Sequence, residues 1–189
     1  KEAAKSSNAR QGGLKSGAPP AFARAGQSTQ LVVGASASSD GVILTKAESL
    51  YKKFLLRRVY YSAFSPAQFT DPKLAKDPTP PMREHRLYEA DWLIRHYGFA
   101  AHEIANSLEN GNLDLTKDPK LAWALKHRGL FPVDVNRASK SLLLRVPGIG
   151  VRNVERILKI RRFHRIRTED LMRLKISMNR AKWFVTTAD

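Results

Sequence analysis

Apolar and polar positions divide the chain into blocks with different periods. "TQLVVGA" (29–35) is a short β-branched run ending at Gly34, and it predicts a buried strand. Ile43, Ala47, Leu50, Tyr51 and Phe54 then recur at helical spacing, with Asp40 placed to cap that helix. "RRVYYSAF" (57–64) is a second strand. Strand, helix and strand in succession form a βαβ unit, whose home is a parallel sheet or barrel. Two strands are too few to stand alone, so the unit calls for neighbouring strands. A Pro-rich connector, "SPAQFTDPKLAKDPTPPM", follows. "REHRLYEADWLIRHYGF" (83–99) predicts an amphipathic helix with Leu87, Ala90, Leu93, Ile94 and Tyr97 inward, an Asp91–Arg95 pair and a stop at Gly98. Asp118 as cap and Pro119 at the first helical position start another short helix. From Phe131 onward the pattern is one of several short helices. Residues 1–28 show no apolar period and predict a flexible arm or loop.

Within the last block, "VNRASKSLLLRVPGIGVRNVERILKI" breaks what would be one long helix. Leu142, Leu143 and Val146 form one apolar face, and Val154, Ile157 and Leu158 the other, so the two halves can pack as a hairpin. Gly148 and Gly150 permit backbone angles closed to other residues and leave room for a ligand. The amides of Gly148, Ile149 and Gly150, with the start of the second helix, are then expected to face outward as a site for a DNA phosphate. Ile149 turns inward, Arg152 and Arg156 reach flanking phosphates, and Asn153 is a polar neighbour. The alternative is a tight structural turn with no ligand. "FHRIRTEDLMRLKISMNRAKWFV" repeats the scheme without the glycines, with a helix starting near Asp170 and with Ala181 and Phe184 inward; its expected role is to complete the core.

Charge adds a partner class. The formal net charge is +16, and residues 132–189 hold 14 Lys and Arg against 5 Asp and Glu. A compact basic tail suits a polyanion, most often nucleic acid. No run approaches 18 apolar residues and no secretory signal is present, so the expectation is a cytoplasmic protein with no membrane partner. The chain has no cysteine, which excludes disulfides and thiolate metal sites within it. It begins with Lys1, as expected of a processed product or a piece of a longer protein.

The break at 145–158 follows the helix-hairpin-helix pattern, and the block resembles the tandem helix-hairpin-helix module of competence-type DNA receptors. Helix-hairpin-helix DNA glycosylases place a catalytic Asp about where Asp170 lies. Here, however, Asp170 sits at a helix start, where an acidic residue suits the dipole, and Arg152 and Asn153 stand where bifunctional members carry a Lys. Beyond the tail, "FARAGQSTQLVVGA", "RRVYYSAF", "REHRLYEADWLIRHYGF", "NLDLTKDPKLAWALKH" and "FPVDVNRAS" resemble the C-terminal half of a family of DNA modification or repair radical SAM proteins, from about residue 20 to 185. Its members are often encoded beside a uracil-DNA-glycosylase-type protein, a partner the resemblance also implies.

The fold so implied is α/β plus all-α: a flexible arm (1–28), the last βαβ part of a (β/α) radical SAM-type barrel (29–70), a helical connector (71–130) and a helix-hairpin-helix DNA-binding domain (131–189). The resemblance places Gln27, Ser28, Gln30, Gly34 and Ser62 near S-adenosylmethionine. The family's chemistry needs a [4Fe–4S] cluster held by three cysteines, so a chain with none cannot carry out that reaction alone. The competing reading is a stand-alone, non-catalytic DNA-binding adapter. Other sites are poor: His85, His96 and His102 lack a metal-binding spacing and read as solvated or capping, Glu89 and Asp91 face apart on their helix, and Trp92, Trp123 and Trp183 read as core aromatics.

Overall fold

The computed structural model describes residues 25–67, 71 and 73–189, so the arm expected at 1–28 lies outside the described residues as far as residue 24. β1 (Ser28–Val33), α1 (Asp40–Phe54) and β2 (Arg58–Ala63) form the βαβ unit. The strands pair in parallel, from Ser28 opposite Arg58 to Val33 opposite Ala63. A third element, α2 (Pro81–Tyr97), packs on β2 and α1. Together the two helices bury one face of the sheet, at Val33, Val59 and Tyr61, while Val32 and Tyr60 on the other face stay 53% and 44% exposed. Among the described residues the sheet has two strands and closes no barrel.

Two expectations for α1 need correction. Ser39, not Asp40, precedes the helix; Asp40 is its first residue and is fully buried. Its carboxylate accepts from Arg83 Nε at 2.8 Å and from the Leu113 N–H at 2.9 Å, so it ties α1 to α2 and to the loop before α4 rather than capping its own turn. Phe54 is 63% exposed, because the last turn stands clear of the core and the chain leaves it at Leu55 with φ 53°. Leu44 is the buried residue the pattern did not pick out.

Gly98 ends α2 in the left-handed region at φ 69°, donating to the Leu93 carbonyl. α3 (Ala101–Ala105) packs on α1. α4 (Pro119–Lys126) is capped by Asp118, whose side chain accepts from the Leu121 N–H at 3.0 Å. The tail then runs β3 (Val133–Asp134), α5 (Lys140–Arg145), α6 (Val151–Ile160), α7 (Thr168–Arg173), α8 (Met178–Ala181) and β4 (Val185–Thr186). β3 and β4 pair in parallel and pin the two ends of the tail together. Strands of two residues carry no period, which is why the pattern showed only helices there. Arg145 Nη2 reaches Glu103 at 2.7 Å, so the tail is joined to the preceding helices as well as to itself.

Of the three tryptophans, only Trp123 is core, at 3% exposure and edge-on to Phe99 and Phe131. Trp92 (51% exposed) shares the outer stripe of α2 with His96, one turn on, and Trp183 (64% exposed) lies under the Lys182 ammonium.

Candidate nucleic-acid interface

α5 and α6 meet through buried Leu143, Val146, Val154 and Ile157, with Leu142 and Leu158 half-buried at the rim. Ser139 caps α5, accepting from the Leu142 N–H at 3.2 Å. Between the helices, "PGIG" makes a tight turn in which Ile149 is 1% exposed and anchors the loop.

The two glycines do different things. Gly148 has φ 85°, a conformation that disfavours any side chain. A Cβ there would also stand 2.7 Å from the Ser177 carbonyl and 3.1 Å from the Ala181 nitrogen. Its missing side chain therefore makes room for the second hairpin rather than for a ligand. Gly150 has φ −91°, open to any residue, and a Cβ there would meet the Tyr97 hydroxyl at 3.6 Å. The expectation of three outward amides is corrected as well. The Ile149 N–H is taken by the Val146 carbonyl at 3.2 Å, and Tyr97 Oη engages the Val151 amide at the start of α6. The Gly148 and Gly150 N–H groups have no acceptor among the described residues.

Basic side chains flank this turn. Arg145 is paired with Glu103 and Arg180 with Asp118, whereas Arg152 and Arg156 are exposed and carry no ion pair among the described residues. They lie one helical turn apart on α6, with half-buried Asn153 beside them. The second hairpin copies the first in outline: Lys175 takes the left-handed place of Gly148 at φ 55°, and Ile176, at 6% exposure, takes that of Ile149. Asp170 serves the start of α7, accepting from the Arg167 N–H at 3.0 Å, with His164 Nε2 at 3.3 Å.

The residues placed near S-adenosylmethionine converge only in part. Gln30 Nε2 donates to Ser62 Oγ at 2.9 Å on the uncovered face of the sheet, which Ser28 shares. Gln27 and Ser28 stand at the opposite end of β1 from Gly34, roughly 20 Å away at strand rise. Gly34, at φ 83°, has its Cβ position filled by the Thr79 hydroxyl, which donates to the Val33 carbonyl at 2.9 Å; close packing, not a ligand, explains that glycine. The residues present do not fit a [4Fe–4S] cluster, since the chain has no cysteine and the described residues hold no group of three His, Cys, Asp or Glu able to bind a metal. No helix among them is long and apolar enough to cross a membrane.

Lys120 escaped the sequence reading. At the second position of a helix it resembles any solvated lysine, yet it is 8% exposed. Its ammonium donates to the Ile149 carbonyl at 2.7 Å and lies 4.5 Å from the Tyr97 ring centroid. Burial pulls its pKa from 10.5 down to about 7. Below pH 7 both folded and unfolded states carry the charge, and the fold bears the cost of burying it. Above that pH the folded amine is neutral while the unfolded one stays protonated up to 10.5, so stability should rise between about pH 7 and 10.5. The slope from this group is at most about 1.4 kcal/mol per pH unit. Urea unfolding at pH 7 and 9.5 should show a rise in the wild type that Lys120→Met lacks; parallel behaviour of the two would rule this assignment out.

No family model, curated protein or solved structure matches the chain.

Proposed function

We propose that the tail binds the sugar-phosphate backbone of DNA, without sequence preference, through the α5–α6 hairpin. The observation that carries this reading is the pairing of a tight turn, with two amides lacking acceptors, and two exposed arginines without ion pairs one turn apart on the helix that follows. Helix-start amides and arginines are the groups that hold phosphates, and neither reads base identity.

In the wider reading, this hairpin is the DNA-targeting part of a radical SAM-type protein that modifies or repairs DNA, with a uracil-DNA-glycosylase-type protein as a partner. It is supported by a parallel βαβ unit whose helices cover one face and leave the other, bearing Gln30 and Ser62, bare. Such a face is the inner wall of a (β/α) barrel once further strands are added. The cluster and its chemistry would come from cysteines outside this sequence. The competing reading is an adapter with no catalysis. An in-frame CxxxCxxC in the source DNA upstream of the Lys1 codon favours the first, and a nearby start codon without that motif favours the second.

The binding itself is tested by anisotropy titration of a labelled duplex. With about four phosphates contacted, affinity should fall roughly 100-fold between 50 and 200 mM salt. Arg152→Ala with Arg156→Ala should lower the salt slope by about 2 and weaken every sequence alike. A flat salt response, or an unaltered slope in the folded double variant, would overturn the hairpin assignment.

A further inference from the structure

A cleft of about 510 Å³ opens beside the hairpin turn, walled by Tyr88, Trp92 and Leu93 of α2, by Pro119 and Lys120 of α4 and by the turn from Gly148 to Gly150. Its position is set by the fold: α2 packs on the sheet and also touches α4 and α5, and the Lys120–Ile149 bond holds α4 against the turn. Two features of this cleft are unused by backbone binding alone, and a third is shared with it.

The first is Trp92. Its indole, 51% exposed, offers a half-bare apolar face at the cleft wall. The His96 ring lies against it with centroids 4.1 Å apart, and the Arg95 guanidinium is 5.6 Å from its centroid. A half-bare aromatic at a cleft wall can serve as a stacking platform. The second is Lys120, whose buried ammonium has a carbonyl and a ring face as neighbours but no ion pair among the described residues. A buried cation is normally matched by an anion, and a bound ligand can supply one. The third, shared with backbone binding, is the turn itself, since Gly148 and Gly150 line the same cleft.

We propose that this cleft receives one unpaired nucleotide of a DNA strand, its phosphate held between the turn and Lys120 and its base stacked on Trp92. The proposal rests on the backbone-binding reading above and extends it to a substrate class: DNA with an extrahelical or single-stranded base. A cleft of this volume takes one base and its sugar, whereas a paired base cannot leave its partner to reach Trp92 without the cost of unstacking. The ligand chemistry is that of a nucleoside monophosphate, from a strand or free in solution, and the test separates these sources.

The test uses the full chain and two labelled duplexes of the same sequence, one fully paired and one with a single bulged nucleotide, with free deoxynucleoside monophosphate as competitor. The bulged duplex should bind roughly 10-fold tighter, within the range that stacking one base on an aromatic side chain provides. Trp92→Ala should abolish that preference and leave the fully paired duplex unaffected, and Trp92→Phe should restore most of it. Trp92 is exposed, so the alanine variant is expected to fold. Equal affinities for the two duplexes, or a preference that survives Trp92→Ala, overturns the proposal while the salt slope of the paired duplex still stands for the hairpin. Failure to bind either duplex overturns both. Displacement of the bulged duplex by the free nucleotide at concentrations near the protein's affinity for that duplex would overturn the strand as the source.

Discussion

Gly148→Ala should destabilise the fold by about 2–5 kcal/mol, whereas Gly150→Ala two residues away should change it by less than about 1 kcal/mol. The two substitutions look alike in sequence and differ in what the backbone does. At φ 85° an alanine Cβ crowds its own carbonyl, at a cost of about 1–2 kcal/mol. The same Cβ lies 2.7 Å from the Ser177 carbonyl, which is backbone and can move only by shifting the second hairpin. Overpacking of that kind adds roughly 1–3 kcal/mol. Gly150, in extended backbone at φ −91° and ψ 165°, faces the Tyr97 hydroxyl at an ordinary contact distance. Alanine there loses a little as a helix cap and regains a similar amount by restricting the unfolded chain. Urea unfolding at constant m-value measures both. Equal losses for the two variants would mean that Gly148 does not hold the hairpins together as described. A bulky residue at Gly148 would impair DNA binding by loosening the tail, whatever the turn's amides do, and for that reason the arginine pair is the cleaner probe of phosphate contact.

This pair also marks where the sequence is legible and where it stops. Most residues in periodic segments behave as their spacing predicts, Phe54 at the end of α1 excepted: Ile43 and Ala47 on α1, Leu87, Ala90 and Leu93 on α2, and Val154 and Ile157 on α6 are all buried. Local chemistry reads equally well, with Gly98 ending α2 and Asp118 capping α4. What fails depends on contacts far apart in the chain. Asp40 has the chemistry of a cap, but its partners are Arg83 and Leu113, and a partner some 40 or 70 residues away leaves no trace in local spacing. Trp92 and Trp183 are apolar enough for a core and lie on faces that nothing covers. Lys120 is hidden for the opposite reason, since no local pattern says that the loop 29 residues on will close over it. In the candidate interface, the inward Ile149 and the exposed Arg152 and Arg156 were readable from the hairpin pattern. The cleft was not, because its walls come from α2, α4 and the turn.

Asp91→Ala is expected to be the most damaging single change in the βαβ half, at about 3–5 kcal/mol, the range for removing one partner of a buried ion pair. Asp91 has no exposed surface and accepts three bonds. Tyr51 Oη donates at 2.6 Å, Tyr61 Oη at 3.3 Å and Arg95 Nε at 2.8 Å. Tyr51 Oη also accepts from the Val59 N–H at 3.0 Å, so one carboxylate links α1, α2 and β2. Burial, followed by the proximity of Asp91, raises both tyrosine pKa values, which keeps the hydroxyls as donors through the working pH range. Removing the carboxylate leaves two hydroxyls without an acceptor and a guanidinium without its counter-charge. Asp91→Asn keeps an oxygen for the tyrosines and loses only the charge, so it should cost roughly half as much. Chemical denaturation of the two variants separates these contributions. An alanine variant within about 1 kcal/mol of wild type would show that packing alone holds α2 on the sheet. If the network holds, its reach extends to the tail: the helix that Asp91 fixes against β2 carries Trp92 and Tyr97 to the hairpin turn, so the polar core of the first half sets the geometry of the candidate interface in the second.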